Sequence, residues 1–397
     1  MMERTALLLC LGDASWSPRT IRFADRLRKS GFRVTVASQL LTRTFDLDEH
    51  IALEHPPRPN GPLGRKLRSY GYLASFLPSV GGLCDRLNSY RHGLSGLAAA
   101  LEKRRFDLII VQDLALLPVV LVHRNGARVI FDAREYYPAQ NEESRRFRIF
   151  ERPERVRICA RDLPRCDAVI TVSQGLADAY ARNFGVAPVV IHSATQFHDI
   201  SPTPVEDGRI RLVYHGVANR NRGLTNLFEL MKKLRPGFSL DLYLVTQDES
   251  RLAEMRVMAE ADGRINLYPP VSFAQIVPEL NRYDIGMIFY EPTSFNLRHC
   301  MPNKLFEFIQ GRLAVAIGPS PDMATFLNEH GCGVVAKDFT IDSLADALNA
   351  LTSDDVMVLK SNSAIAALKV SMERELDKLM AITALASTSQ ATDLGIS

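Results

Sequence analysis

Residues 6–38, ALLLCLGDASWSPRTIRFADRLRKSGFRVTVAS, decide the fold. The apolar run at residues 6–11 predicts a buried strand, and Gly12-Asp13 predicts a turn. An amphipathic helix is expected over Pro18–Lys29, followed by a second strand over Phe32–Ser38. Because a strand, a helix and a second strand in this order form a βαβ unit, the opening implies a parallel, doubly wound α/β sheet.

The same alternation of strand and helix patterns continues along the chain in two sets. Residues 199–209, DISPTPVEDGR, have the composition of a linker, and a second set of strands begins with IRLVYHG at residues 210–216. We therefore expect an N-terminal domain over residues 1–200 and a C-terminal domain over residues 209–365. A C-terminal helix over residues 366–386 is expected to pack back toward the N-terminal domain, and residues 387–397 to form a disordered tail.

The composition restricts the class of protein. The chain has 397 residues and a formal net charge of only +3, which argues against a dedicated nucleic-acid-binding protein. Its six cysteines form no CxxC pair, so a structural zinc site is not expected. Cysteines scattered in this way are typical of reduced thiols in a cytoplasm. The early apolar run is too short for a membrane span and lacks the features of a signal peptide.

Five further segments form a pattern by their order and spacing. They are PNKLFEFIQG at residues 302–311, YHGVANRNRGL at 214–224, YDIGMIFYEP at 283–292, FDAREYYP at 131–138 and DAVITVSQGLADAY at 167–180. Together they resemble the glycosyltransferases of family 4 (glycosyltransferase group 1), which have the GT-B fold. The resemblance runs from about residue 5 to residue 380 and implies two Rossmann-like domains that face each other across a cleft. It also implies transfer of a sugar from a nucleotide-sugar donor, with neither a metal nor a cofactor.

The first of these segments predicts a donor site at the start of a helix. A helix N-terminus presents unpaired N–H groups and a positive dipole end, which suit a diphosphate. Pro302 has no N–H, so the amides of Asn303 and Lys304 are the expected donors, and Lys304 adds a full charge. Glu307 lies three residues beyond Lys304 and can share its face of the helix. The resemblance assigns Glu307 to the ribose hydroxyls; the alternative is a surface Lys–Glu pair.

A loop near residue 220 supplies further candidates for binding the diphosphate. Arg220 and Arg222 precede Gly223, and the resemblance places Arg222 against the diphosphate, where an arginine fork suits phosphate oxygens. Solvated loop arginines are the alternative. Gly216 is a candidate for close approach of backbone to phosphate, although a plain turn explains it equally well.

The chain departs from the family pattern at His299. The family has a glutamate at this position, eight residues before Glu307, near the donor sugar. We therefore treat His299 as a candidate for binding the sugar, beside the alternative of an ordinary loop histidine. Gly12 and Asp13, in the first turn, are further candidates near the donor sugar.

The strongest catalytic candidates in the first half follow the strand RVIFD at residues 128–132. Asp132, Arg134 and Glu135 lie at or after its carboxyl end, where a carboxylate can orient an acceptor hydroxyl or act as a base. Structural capping by Asp132 is an equally good alternative. The expected acceptor is a glycan or a lipid-linked glycan in surface-polysaccharide biosynthesis. Retention of the anomeric configuration is implied by the resemblance alone.

Two basic segments suggest contact with an anionic surface. Arg65, Lys66 and Arg68 adjoin a cluster of large apolar residues, and residues 145–161 are rich in arginine. Either segment suits an anionic membrane or an acidic glycan, with a solvated helix face as the alternative. We expect a cytoplasmic protein, peripheral at the inner face of the membrane. Rival functions on the same fold are a nucleotide-sugar epimerase or hydrolase, and a non-catalytic protein that binds a partner.

Overall fold

The computed structural model describes residues 4–55, 81–218, 223–246 and 248–392. The chain divides into two compact units. The first unit comprises Met1–His192, Ser294–Asn296 and Leu376–Ser397, and the second comprises Ser193–Thr293 and Leu297–Glu375.

The first unit is built on a parallel sheet. Its described strands have the order β3-β2-β1-β4-β5-β6-β7, so the chain runs outward from β1 to one edge and then to the other. This is the doubly wound arrangement that residues 6–38 predict. The strands are β1 Arg4–Leu9, β2 Phe32–Ser38, β3 Glu49–Ala52, β4 Leu108–Val111, β5 Arg128–Ala133, β6 Ala168–Thr171 and β7 Val189–Val190.

Local chemistry explains the helices of this unit. Ser17 accepts a hydrogen bond from the amide of Thr20, and Pro18 opens the first helix, as expected for an N-terminus. Gly93 separates two helices of this unit: its φ is +65°, and a Cβ there would lie 2.7 Å from the Glu54 carbonyl oxygen. The helices are α1 Pro18–Lys29, α2 Gly81–His92, α3 Ser95–Lys103, α4 Leu117–His123, α5 Arg152–Asp162 and α6 Gln174–Phe184.

The second unit repeats the architecture. Its described strands form one parallel sheet in the order β10-β9-β8-β11-β12-β13, which starts from a central strand as in the first unit. The sheet has a buried apolar layer on each side. The strands are β8 Ile210–Val217, β9 Phe238–Val245, β10 Ile265–Tyr268, β11 Ile285–Ile288, β12 Ala314–Ile317 and β13 Gly333–Val335.

Two features of the second half differ from the expectations. Pro302 is not the first helical residue but the N-cap, with an extended ψ of 151°, and the helix begins at Asn303. The C-terminal region has two helices that meet at residues 370–371, and the second reaches Thr392 rather than ending at residue 386. The helices are α7 Leu224–Lys233, α8 Glu249–Glu260, α9 Ile276–Leu280, α10 Phe295–Arg298, α11 Asn303–Gln310, α12 Pro321–His330, α13 Ile341–Asn349, α14 Ser353–Lys369 and α15 Met372–Thr392.

Among the helices of the described ranges, we find none with the length and apolar character needed to cross a membrane.

Candidate functional site

A cavity of about 430 Å³ lies at the carboxyl ends of β8 and β9 in the second unit. Ligands of open α/β sheets bind at this edge, beyond the carboxyl ends of the strands. The start of α11 forms one wall, and the segment after β10 together with α9 forms another. The lining includes Tyr214, His215, Gly216, Tyr243, Val271, Ile276, Glu279, Asn303, Lys304 and Glu307.

The start of α11 brings two of the predicted diphosphate ligands to this cavity. Pro302 is extended and has no N–H, and the amide of Leu305 is bonded to the Pro302 carbonyl at 3.0 Å. The amides of Asn303 and Lys304 therefore belong to the first turn, where N–H groups have no partner within the helix. Both residues line the cavity, as the sequence predicts.

The side chain of Lys304 is held close to the end of β8. Its Nζ donates to the carbonyl oxygen of His215 at 2.9 Å and lies 3.9 Å from the centre of the Tyr214 ring. Gly216 follows with φ +129°, and a Cβ there would lie 3.3 Å from Lys304 Nζ. A glycine at this position therefore leaves room for the ammonium group beside the backbone.

Glu307 faces the same cavity one turn further along α11. Its carboxylate is buried, and Oε2 lies 3.2 Å from His215 Nε2. Burial, together with the neighbouring Lys304, lowers the pKa of His215 from 6.5 to about 3. His215 is therefore neutral near pH 7, so no cationic imidazole lies beside the Glu307 carboxylate. The alternative, an exposed pair of Lys304 and Glu307 on the surface, does not apply because Glu307 is buried.

The far wall of the cavity contains residues that sequence reasoning missed. Tyr243, near the end of β9, donates from its hydroxyl to Glu279 Oε1 at 2.7 Å. The Tyr243 hydroxyl also lies 2.9 Å from the Tyr283 hydroxyl, which donates to Asp241 at 2.8 Å. The position of Tyr243 at the carboxyl end of a strand is the signal that could have found it. Glu279 has no such signal because its helix is only five residues long.

His299 is placed elsewhere in the second unit. Its Nδ1 lies 2.7 Å from a carboxylate oxygen of Asp322, at the start of α12, and His299 does not line the cavity. The two diphosphate candidates Arg220 and Arg222 lie outside the described residues, as do Arg65, Lys66 and Arg68.

At the carboxyl edge of the first unit, Gly12 and Asp13 form the turn after β1. Gly12 donates its amide to Gln39 at 3.0 Å, and Asp13 caps the short helix Ala14–Trp16. Desolvation raises the pKa of Asp13, but hydrogen bonds from Ser15 and Thr42 outweigh it and lower the pKa to about 2. The Asp13 carboxylate thus holds the turn together as an ionised cap.

Asp132 lies at the end of β5, fully enclosed. Arg19 of α1 donates to both of its oxygens, at 2.8 and 2.9 Å in the shortest contacts, and Gln112 donates at 3.1 Å. Arg19 is itself buried and also donates to the Ile191 carbonyl at 3.0 Å. These contacts favour the structural alternative for Asp132, because a carboxylate with three such bonds and no exposure has little access to an acceptor.

Arg134 and Glu135 extend from the same strand end. Arg134 donates to the Gln112 carbonyl at 3.1 Å and lies 3.4 Å from Asp113, a half-buried carboxyl after β4. Glu135 accepts a hydrogen bond from Gln140, and its burial raises the pKa of this carboxyl, although Arg155 and Arg134 oppose the shift. Sequence reasoning missed Arg19, Gln112 and Asp113 as residues of this edge.

No group of three or more His, Cys, Asp or Glu residues that could hold a metal ion occurs within the described ranges.

Comparison with known proteins agrees with this architecture. Residues 19–195 match the model of Glycosyltransferase Family 4. A glycosyltransferase from Rickettsia africae is 13% identical, with a TM-score of 0.67 and coverage of 96% of this chain and 98% of the other. WaaG, a glycosyltransferase involved in lipopolysaccharide biosynthesis, is 12% identical, with a TM-score of 0.63 and coverage of 96% and 99%.

A third solved structure, HepE of Anabaena in complex with UDP, is 12% identical, with a TM-score of 0.66 and coverage of 98% and 100%. At such identities the likeness establishes the fold. No curated protein sequence matches the chain. The match over residues 19–195 confirms the predicted resemblance to the family 4 glycosyltransferases, and the likeness over the whole length confirms the predicted GT-B fold. The chain is a GT-B-fold protein that resembles the family 4 glycosyltransferases.

Proposed function

We propose that the protein is a glycosyltransferase that moves a sugar from a nucleoside-diphosphate sugar to a glycan or a lipid-linked glycan. The observation that carries the proposal is the cavity of the second unit, where the start of α11, Lys304 and Glu307 line one space. The fold neighbour HepE has structures with UDP and with UDP-glucose, which supports a nucleotide-sugar donor here.

In this proposal the diphosphate lies against the first turn of α11. The amides of Asn303 and Lys304 donate to its oxygens, and Lys304 moves its ammonium group from the His215 carbonyl to the phosphate. The position of Gly216 supports this arrangement, since the backbone there already lies close to Nζ. Arg222 and Arg220 add cations in the proposal, on the basis of the sequence resemblance.

Glu307 binds the ribose. A buried carboxylate that lines the cavity one turn beyond the diphosphate site can accept hydrogen bonds from two vicinal hydroxyls. The neutral state of His215 supports this role because a cationic imidazole would compete with the ribose for the same oxygens.

The reaction breaks the bond between the anomeric carbon and the diphosphate oxygen and forms a bond from that carbon to the acceptor oxygen. The acceptor hydroxyl releases its proton, and the nucleoside diphosphate leaves with the electron pair of the broken bond. Helix amides and Lys304 stabilise the charge that develops on the leaving group. We propose that this electrostatic role needs no metal ion and that the anomeric configuration is retained.

For the acceptor, we propose the edge of the first unit that bears Arg134 and Glu135. Burial raises the pKa of Glu135, which makes its carboxyl a better proton acceptor near neutral pH than an ordinary glutamate. Asp132 acts in this proposal as a positioning residue, through Arg19 and Gln112. Gly12, Asp13 and His299 stay candidates near the donor sugar.

We further propose a role in surface-polysaccharide biosynthesis at the cytoplasmic face of the membrane. Exposed arginines at positions 145, 146, 148 and 152, together with Ile149, which is 53% exposed, form a basic and partly apolar surface of the first unit. Such a surface suits anionic lipid.

Incubation with a panel of nucleotide sugars and with lipid-linked glycan acceptors tests the proposal. The expected result is release of a nucleoside diphosphate that depends on the acceptor. Consumption of the donor without acceptor would indicate a hydrolase, and a change in the donor sugar would indicate an epimerase. Tight binding of a nucleoside diphosphate with no turnover of any donor would indicate a non-catalytic protein.

A further inference from the structure

The far wall of the cavity carries one carboxylate among the described residues, that of Glu279 in α9. Its neighbours along this wall are apolar and include Val271, Ile276 and Leu280. The Glu279 side chain is 26% exposed, so it is partly removed from water. A polar group in such a place lowers its free energy by hydrogen bonding, either within the protein or to a ligand.

Among the described residues, hydrogen-bond donors reach only one of the two carboxylate oxygens of Glu279. Oε1 accepts from the Tyr243 hydroxyl and from Arg282 Nη1, both at 2.7 Å. Two hydrogen bonds use both lone pairs of this oxygen. Oε2 accepts no hydrogen bond from the residues that the structure describes. It is therefore the oxygen that remains for a ligand.

Tyr243 fixes the position of this carboxylate. Its ring is 7% exposed, it stacks on Tyr268 with a centroid distance of 5.3 Å, and its hydroxyl also contacts Tyr283. The carboxylate is thus held by a buried, hydrogen-bonded side chain rather than by solvent. A fixed acceptor discriminates among ligands because it cannot turn away from an unsuitable partner.

The proposed function leaves this wall for the base of a nucleotide. This step rests on the proposed function, which puts the diphosphate at Asn303 and Lys304 and the ribose at Glu307. The base is the remaining part of the nucleoside diphosphate. It then occupies the space between Val271, Ile276 and Glu279.

The nucleobases differ in what they present to a carboxylate, which only accepts hydrogen bonds. Guanine has a ring N–H next to an amino group, so two donors lie side by side. Uracil has a single ring N–H between two carbonyl oxygens, which repel a carboxylate. Adenine and cytosine place an amino group beside an unprotonated ring nitrogen, so one donor is offset by one acceptor.

We propose that the second unit binds a guanine nucleoside diphosphate, and that Glu279 selects guanine by accepting hydrogen bonds from its two N–H donors at Oε2. In a glutamine at this position, the donors Tyr243 and Arg282 would hold the amide oxygen. The amide nitrogen would then replace Oε2, where it would face the N–H groups of guanine unfavourably and could donate to a carbonyl oxygen of uracil. Exchange of one carboxylate oxygen for an amide nitrogen therefore reverses the preference without a change of volume.

Isothermal titration of the full-length protein with GDP, UDP, ADP and CDP tests the inference. We expect GDP to bind about ten-fold more tightly than UDP, which is the low end of discrimination by a two-donor contact because Glu279 is partly exposed. The variant Glu279→Gln is expected to lose this preference and to bind UDP at least as well as GDP. Glu329→Gln, an exposed residue of α12 outside the cavity, is the matched control and should behave as wild type.

Equal affinities, or tighter binding of UDP by the wild type, would overturn the guanine assignment and leave the proposed glycosyltransferase intact. Binding of no nucleoside diphosphate would overturn both. An unchanged GDP preference in a folded Glu279→Gln protein would show that Glu279 does not select the base. Tyr243→Phe, which keeps the carboxylate but removes one of its anchors, should lower the preference for GDP by a smaller factor than Glu279→Gln.

Discussion

The two units place polar residues at the same edge of the same kind of sheet, and they use them differently. At the carboxyl edge of the first unit, charged groups are matched within the protein: Asp132 with Arg19, and Asp113 with Arg134. At the corresponding edge of the second unit, Lys304 and Glu307 line a cavity of about 430 Å³ whose walls are largely apolar.

The difference shows that a strand-end carboxylate is not by itself a sign of chemistry. A buried charge matched by an arginine on a neighbouring element fixes the loops around it. A buried charge that lines a cavity is available to a ligand. Both edges have charged residues that could bind a ligand. What distinguishes them is whether those residues are paired within the protein or line a cavity.

The sharpest way to break the comparison is to remove Asp132. Asp132→Ala leaves Arg19, which is 8% exposed, as a buried cation without its carboxylate. Loss of one partner of a buried pair costs about 3–5 kcal/mol, so the free energy of unfolding of the first unit should fall by that amount. Urea denaturation followed by circular dichroism measures the change.

Asp25→Ala is the control for that variant, because it breaks the exposed pair of Asp25 with Lys29 in the same helix. Its expected cost is within about 0.5 kcal/mol. Full stability of Asp132→Ala, combined with loss of glycosyl transfer, would instead make Asp132 a catalytic residue.

A second test concerns binding to a membrane surface rather than the two sheet edges. Replacement of Arg65, Lys66 and Arg68 by serine should abolish salt-sensitive binding to anionic vesicles. Each cation contributes about 1 kcal/mol near such a surface, so the three together contribute about 3 kcal/mol. Vesicle co-sedimentation at low and high salt measures the effect, with neutral vesicles as the control.

Nucleotide affinity should be unchanged in this triple variant, since the cavity belongs to the second unit. A wild-type protein that ignores anionic vesicles at low salt would make the segment an acceptor lid or a packed insertion of the first unit.

Removal of Glu307 tests the second unit directly. Glu307→Ala deletes the acceptors proposed for two ribose hydroxyls, and hydrogen bonds to a charged group are worth about 1.5–3 kcal/mol. Affinity for a nucleoside diphosphate should therefore fall by that free energy in isothermal titration. Glu229→Ala, on the exposed face of α7, should bind as wild type. Unchanged affinity in a folded Glu307→Ala protein would contradict the ribose assignment.

The sequence predicts the fold well because the periodic apolar pattern is local. The bounds of α1 and β2 agree residue by residue with the prediction, and the first strand of the second unit begins at Ile210 as predicted. The edge strand Glu49–Ala52 and the helix Glu249–Glu260 were missed. The first is short and only partly buried, and the second has exposed residues on most of its faces.

The site was harder to predict because partners are a property of packing. From the sequence, Asp132 and Glu307 are both carboxylates beside regular elements, and nothing local shows that Arg19 will reach the first. Arg19 comes from a helix 113 residues earlier in the chain. Glu279 and Tyr243 are likewise brought together over 36 residues, so their contact has no local pattern.

The pH dependence of stability sharpens the picture of the cavity. Burial, followed by Lys304, lowers the pKa of His215 from 6.5 in the unfolded chain to about 3 in the folded one. The unfolded state therefore binds a proton that the folded state does not, between these two values. This contribution to stability is complete above pH 6.5 and is lost as the pH falls, by about 1.4 kcal/mol per pH unit.

Urea midpoints measured between pH 7 and pH 4 test this for wild type and His215→Phe. The variant should lose less stability with acid than the wild type, since it has no imidazole to protonate. Identical slopes for the two proteins would mean that His215 is not desolvated in the way the cavity requires.

The smallest expected effect is that of metal removal. At the first edge the carboxylates already pair with arginines, and at the second the charge of a leaving diphosphate would be met by Lys304 and the amides at the start of α11. In this proposal the charge of the leaving diphosphate is met without a divalent cation. Turnover in excess chelator should equal turnover in untreated enzyme, measured as initial rates of nucleoside diphosphate release.

Activity that disappears with chelator and returns with magnesium or manganese would show that the leaving charge is balanced by a metal, and Lys304→Met would then cost little. If the chelator has no effect, the Lys304→Met variant should lower the rate strongly. The Lys304 ammonium group, which this variant removes, is then the main cation at the phosphate among the described residues.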